Sequence, residues 1–442
     1  KTYISVYKYD RKTFKALADA VFVLERMNAE GKWEEMQEAT TGADGVAYFG
    51  QSPKVETAEP KLQLDSGVRY RLYEKTAPAG YLLGTEPDYK YFQIEGKNAF
   101  NDSKYPIKQL QRNIDDSAAF SLPNIAKMSV SATKTWDDAN NQDGKRPNEI
   151  VVKLKANGQD ANVTTAPTLV NGEVVNGKNN QVKLKADASG SWANTKVTWN
   201  NLPKVDSNGQ QITYTVEESW FSNEYSASYQ YSNEKVRGVK GQDGTVTITN
   251  THTPEKVEKT VTKKWDDAND QDGLRKNVNA YVCLFADGEQ VTKDRDGKTV
   301  NAIQKVGTGN NWKYRWSNLP KYKDGKEITY TVKEGTLTDG KFTEFDADKL
   351  AELGYTSKVD DKTLTVTNTH IPAKENLKVV KVWSGNDETN DDGNRPKSIK
   401  VKLQKSTDQG EEKTWVDATN VKNYEISLEA SNSWSYTWDN LP

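Results

Sequence analysis

The stretch KTWDDANNQDGKRP, beginning at residue 134, returns as KKWDDANDQDGLRK at 263 and as KVWSGNDETNDDGNRP at 381. Shorter anchors recur in the same order: WNNLPK at 199, WSNLPK at 316 and WDNLP at 438; ITYTVEE at 212 and ITYTVKE at 328; TVTITNTHTP at 245 and TLTVTNTHIP at 363. Self-similarity at a period this long means that one compact unit is built several times, each copy with its own core. The repeats divide the chain into 1–126, 127–254, 255–373 and 374–442, with the tails THTP and THIP as short extended linkers. The first segment lacks the Trp-Asp-Asp signature but keeps the layout, with YKYD at 7, YRLYEKTAPAGY at 70 and FSLPN at 120. The fourth stops at WDNLP, before the last two anchors, so the chain reads as a piece of something longer.

Between the anchors run β-rich segments such as IVVKLKANG and NQVKLKA, broken by Gly, Asn, Asp and Pro clusters. This pattern predicts an all-β chain of tandem β-sandwiches. Residues 16–27, ALADAVFVLERM, have helical propensity but fit a strand by repeat position, whereas DADKLAEL at 346–353, closed by Gly354, predicts one short inserted helix.

On the first strand of each unit a lysine sits in an otherwise apolar row. Val130, Ala132, Lys134 and Trp136 share a face by the two-residue period of a strand, as do Ile4, Val6 and Lys8; Val261, Lys263 and Trp265; and Leu377, Val379, Lys381 and Trp383. An isolated buried ammonium is costly, so a recurring one calls for a recurring partner. The rows Ile212-Tyr214-Val216 and Ile328-Tyr330-Val332 lead to Glu218 and Glu334, and Tyr70-Leu72 leads to Glu74. On the last strands, Val246-Ile248, Leu364-Val366 and Phe120-Leu122 lead to Asn250, Asn368 and Asn124.

Burial lowers a lysine pKa and raises a glutamate pKa, so a proton shared between them leaves a neutral amine beside a neutral acid. Such an amine is a nucleophile, and the acid polarises the carboxamide and moves a proton to departing ammonia, once per molecule. The product is a Lys–Asn isopeptide bond; the competing reading of the same residues is a buried Lys–Glu ion pair capped by Asn. The paired residues are 116, 116 and 105 positions apart, so each bond would enclose nearly a whole unit. By analogy with a disulfide, a loop of that length is worth roughly 4 to 5 kcal/mol.

These motifs resemble the B-type (CnaB) repeats of Gram-positive collagen adhesins and the related domains of sortase-assembled pilins. YRLYEKTAPAGY closely resembles the pilin E-box, with Glu74 as its glutamate. The resemblance implies immunoglobulin-like sandwiches in an elongated rod, bonds from Lys8 to Asn124, Lys134 to Asn250 and Lys263 to Asn368, and Glu74, Glu218 and Glu334 as catalysts. Lys381 has no visible Glu or Asn and is expected to be unlinked. It further implies a structural stalk on the cell surface or cell wall, extracellular, with sortase anchoring through a C-terminal region beyond this segment. The rival functions are a module binding host extracellular-matrix protein or glycan, through the first unit with its polar 39–68 stretch, and a pilin backbone subunit joined through Lys108 of YPIK.

Other features point to little further chemistry. A net charge of −2 with 28% charged residues gives no basic stripe for nucleic acid, and no apolar run approaches the ~20 residues of a membrane helix. The single Cys283 excludes an internal disulfide and a cysteine metal cluster, and its strand leaves its face open. DDANNQDG lacks acids where a calcium loop needs them and reads as an acidic turn; His252 and His370, at matching linker positions, make a poor shared metal or catalytic site. No cofactor and no turnover activity are expected.

Overall fold

The computed structural model describes residues 3–50, 64–94, 108–110, 119–219, 222–233, 237–384, 389–390, 393–407 and 414–442. Residues 51–63 of the polar stretch and 105–107 of YPIK lie outside them. The architecture is all-β. The chain divides into two compact units, residues 1–253 and 254–442, and four hydrophobic cores lie within 4–119, 128–248, 261–366 and 403–438.

The second core shows the plan. One sheet runs, by residue, 168–170, 196–203, 127–137, 244–251, 226–231; the other runs 172–175, 178–185, 149–156, 213–218, 239–240. The strand Lys127–Asp137 lies between Lys196–Pro203, antiparallel, and Gly244–Thr251, parallel. First and last strands of the repeat are therefore neighbours, and the Glu218 strand, Thr213–Glu218, faces them from the opposite sheet. Val130, Ala132, Val152, Leu154, Val216, Val246 and Ile248 fill the gap between sheets. The alternation that places them there is the one that turns Lys134, Glu218 and Asn250 inward.

In the unit 254–442 the strand Lys256–Asp266 again lies between an antiparallel strand, Trp312–Pro320, and a parallel one, Thr365–Thr369. The expected helix is present as Ala347–Glu352, capped by Asp346, which accepts from the Lys349 amide. Val21–Met27 is a strand. Cys283 is completely buried because Tyr281–Ala286 is covered on both faces, and burial pushes its thiol up to about 12. After residue 373 the structure holds two-stranded pairs around Leu403, Ala418 and Trp438, with Leu377, Val380 and Val382 at least half exposed.

The acidic turns are brackets. Ala139, Asn140 and Asn141 take left-handed φ of 51, 58 and 61°, as do Ala268, Asn269 and Asp270 at 51, 63 and 62°. Such residues cost roughly 1–2 kcal/mol each outside glycine, so the surroundings must enforce them. Asp138 accepts from the Asn141 amide at 2.9 Å and from both Arg146 Nε and Nη2 at 3.0 and 2.6 Å. Asp267 does the same with Asp270 and Arg275, and Tyr355 adds its hydroxyl. Arg275 chiefly, by its hydrogen bonds, holds Asp267 down to about 2. Substituting Arg275→Ala leaves that carboxylate buried without its counter-ion. We expect it to destabilise the third repeat by about 3 to 5 kcal/mol in denaturant titrations, against under about 0.5 kcal/mol for the exposed Lys349→Ala.

Candidate functional site

The first-strand lysine and last-strand asparagine keep one register in all three complete repeats. Lys134 pairs with Ile248 and Asn250 with Trp136; Lys263 with Val366 and Asn368 with Trp265; Lys8 with Leu122 and Asn124 with Asp10. The asparagine thus stands two residues ahead of the lysine on the adjoining parallel strand, on the same inner face. The glutamate reaches them across the sandwich.

In the first repeat Lys8 Nζ lies 2.8 Å from Glu74 Oε2, and Asn124 Nδ2 donates to Glu74 Oε1 at 2.9 Å. In the second, Lys134 Nζ is 3.8 Å from Glu218 Oε2, and Asn250 Nδ2 donates to Glu218 Oε1 at 2.7 Å. In the third, the Lys263–Glu334 and Asn368–Glu334 distances are 3.3 and 3.2 Å. Each sequence-identified trio is brought together. The lysines are 2, 2 and 0% exposed; Glu74, at 13% side-chain exposure, is the wettest of the acids.

Burial is the largest influence on all three lysines, partly opposed by the facing glutamate. It lowers Lys8 and brings Lys134 and Lys263 to about 8. Burial likewise raises Glu218, against the pull of Lys134. Asn250 Oδ1, Asn368 Oδ1 and Glu218 Oε2 are buried acceptors without a hydrogen bond. A protonated glutamate donating to a rotated carboxamide would satisfy them.

The tryptophan two residues beyond the lysine floors the site. Lys134 Nζ lies 4.0 Å over Trp136 and Lys263 Nζ 4.3 Å over Trp265. In the first repeat Asp10 occupies that position and turns to cap residues 12 and 13, while Phe22 of the facing sheet supplies the ring, 5.6 Å from Lys8. Lys381 rests 4.7 Å over Trp383 and forms no ion pair among the described residues. Lys108 donates to the Ala119 carbonyl at 2.5 Å and lies over Phe120.

The histidines do more than the sequence revealed. His252 Nδ1 lies 2.7 Å from the Glu224 carbonyl and Nε2 2.9 Å from Asp143; His370 repeats this with the Gly354 carbonyl and Asp272 at 2.7 and 2.8 Å. Each ring faces two acceptors, which only the doubly protonated form satisfies. Burial lowers His252, but the Asp143 and Glu224 contacts outweigh it and the net shift is upward; for His370 the Asp272 hydrogen bond leads the upward shift. Asp272 also accepts from the Ala373 amide at 3.0 Å, pinning the tail of the repeat to its acidic turn. The recurrence of both His and the turn acids was visible in the sequence; their mutual contact was not.

The Cna protein B-type domain model matches residues 130–251, 259–369 and 377–442. The chain belongs to the Cna B-type domain family. Residues 2–104 match the prealbumin-like fold domain. The collagen adhesin of Staphylococcus aureus is 32% identical over 340 residues, covering 76% of this chain; the chain spans 22% of that protein's length. Two B repeat units of the S. aureus collagen-binding protein are 26% identical, covering all of this chain and 88% of theirs, with a TM-score of 0.38. The major pilin subunit of Bacillus cereus is 14% identical over 83% of this chain and 97% of its own, with a TM-score of 0.24.

Raised histidine values mean that their contribution to stability is complete below the unfolded value near ~6.5 and is lost as pH rises through the folded value. We expect both imidazole resonances to titrate above pH ~6.5 by NMR in the intact chain, and Asp143→Asn and Asp272→Asn to bring the respective titration back down.

Proposed function

We propose that this chain is a load-bearing stalk segment of a Gram-positive surface adhesin, each of whose three complete repeats closes itself with one Lys–Asn isopeptide bond. The observation that carries the reading is the threefold convergence of a buried lysine, glutamate and asparagine in one register. The competing ion-pair reading accounts for one such trio, but not for an asparagine placed identically each time with its carbonyl oxygen unsatisfied in two of them.

The neutral amine of Lys134 attacks Cγ of Asn250, forming the C–N bond. Glu218, protonated by the exchange with the lysine, donates to the carboxamide oxygen, takes up a proton from the attacking nitrogen and passes one to Nδ2, which leaves as ammonia. One amine hydrogen and the NH2 group are lost together, so atoms balance and no co-reactant is required. The sandwich supplies the proximity, worth about 7 to 11 kcal/mol in a well-aligned intramolecular reaction. The tryptophan floor keeps water from competing with the amine for the proton.

Once linked, tension entering at the first strand crosses to the last strand within the repeat. From Asn124 to Lys134 and from Asn250 to Lys263 only 9 and 12 residues lie outside a loop, and the 10 and 13 steps they span extend to about 35 to 45 Å. The stalk assignment draws support from the family membership and from the adhesin and pilin relatives. A matrix-binding role for the first repeat has one observation in its favour: Trp33, Tyr89 and Tyr91 cluster on its outer sheet face around Arg71, which lies 4.6 Å from the Trp33 ring and 4.0 Å from that of Tyr89.

Intact-mass measurement should show the chain lighter than its sequence by three molecules of ammonia. Glu218→Ala should restore one of them, and an unshifted wild-type mass would leave ion pairs only. In single-molecule pulling, the wild-type repeats should extend by no more than these short connecting segments, whereas Asn250→Ala should release the second repeat to several hundred ångströms, of order 400 Å.

A further inference from the structure

The second and third repeats differ around the reactive glutamate at several positions, Tyr229, whose hydroxyl accepts from the Glu218 amide, standing where the third repeat has Val359, and one of these differences lies directly beside the asparagine. Across the last strand, Asn250 pairs with Ala227 and Asn368 with Ser357, so residues 227 and 357 occupy the same place beside the centre. Ser357 Oγ donates to Glu334 Oε2 at 3.2 Å. Glu218 Oε2 makes no hydrogen bond, its ion-pair partner Lys134 standing 3.8 Å away, and Ala227, exposed on its strand, offers only a methyl group. Glu334 also lines a cavity of about 280 Å³ beneath the inserted helix, with Phe345, Leu350 and Ser357. The charged groups around the third centre are Lys263, Asp267 and Arg275 on the adjoining turn, and Glu344, which is paired with Lys333.

A hydroxyl that donates to a carboxylate favours its anion. The bond-forming state needs the opposite, a neutral glutamate beside a neutral lysine. We infer, resting on the isopeptide reading above, that Ser357 is a positioning residue whose hydroxyl, donating to Glu334 Oε2, sets the third repeat to close more slowly than the second. The attack on Asn368 Cγ and the loss of ammonia are otherwise those of the second repeat.

The test uses the full chain, made in a short cell-free pulse, diluted into buffers across a pH series, quenched in acid and urea at intervals, and digested. The linked peptides Lys134–Asn250 and Lys263–Asn368 are then quantified by mass. In the wild type the first should accumulate faster. Ser357→Ala should raise the plateau rate of the third repeat roughly tenfold, the worth of one charge-assisted hydrogen bond, and move the acid limb of its pH profile upward. Ser357→Thr, which keeps the hydroxyl, should retain the wild-type rate and limb. Ala227→Ser should slow the second repeat and leave the third unchanged.

A Ser357→Ala rate that is unchanged or lower, with the acid limb unmoved, overturns the inference, and the hydroxyl is then a structural contact or a proton relay. Linked peptides whose order ignores both substitutions overturn it while leaving the isopeptide reading intact. Absence of any linked peptide in the wild type removes both.

Discussion

The confinement of an ammonium, a carboxyl and a carboxamide between two apolar sheets is the constraint on which the complete repeats depend. Isolated, any one of these groups would carry a desolvation cost that the sandwich has no reason to accept. Together they relieve one another, the lysine and glutamate by charge or by proton exchange, the asparagine by bridging to the acid. The topology makes this possible because the strands that open and close a repeat are parallel neighbours, while the acid comes from the facing sheet. No local segment holds the site; it exists only when both sheets have closed.

Around this shared centre the repeats diverge in how they wall it off. The second and third use a tryptophan under the ammonium and brace the following turn with an Arg–Asp pair. The first has no such tryptophan, borrows Phe22 from across the core and leaves Glu74 more exposed. The same trio thus sits in a drier setting in the second and third repeats than in the first, which bears on how readily each amine loses its proton.

The two-residue alternation made the inward rows of Val130-Ala132-Lys134 and Ile212-Tyr214-Val216-Glu218 legible before any coordinates, because burial of a strand face leaves its period in the sequence. The repeat supplied what one copy could not, since a lone core lysine reads as an accident. What stayed hidden was contact between segments far apart. The meeting of His252 with Asp143, the serine opposite Asn368 and the phenyl ring replacing a tryptophan near Lys8 all depend on register and on the packing of one sheet over another. Cys283 was undecidable for a related reason, since its strand is covered on both sides and carries no alternation.

The parallel pairing of opening and closing strands also fixes the direction of mechanical loading inside each repeat. A pull applied at the two ends slides Lys127–Asp137 and Gly244–Thr251 lengthwise against each other. The hydrogen bonds of that seam then resist together in shear, where a hairpin pulled from its open end would part them one after another. The fold therefore meets stretching along its stiffest axis from the moment the two strands zip together.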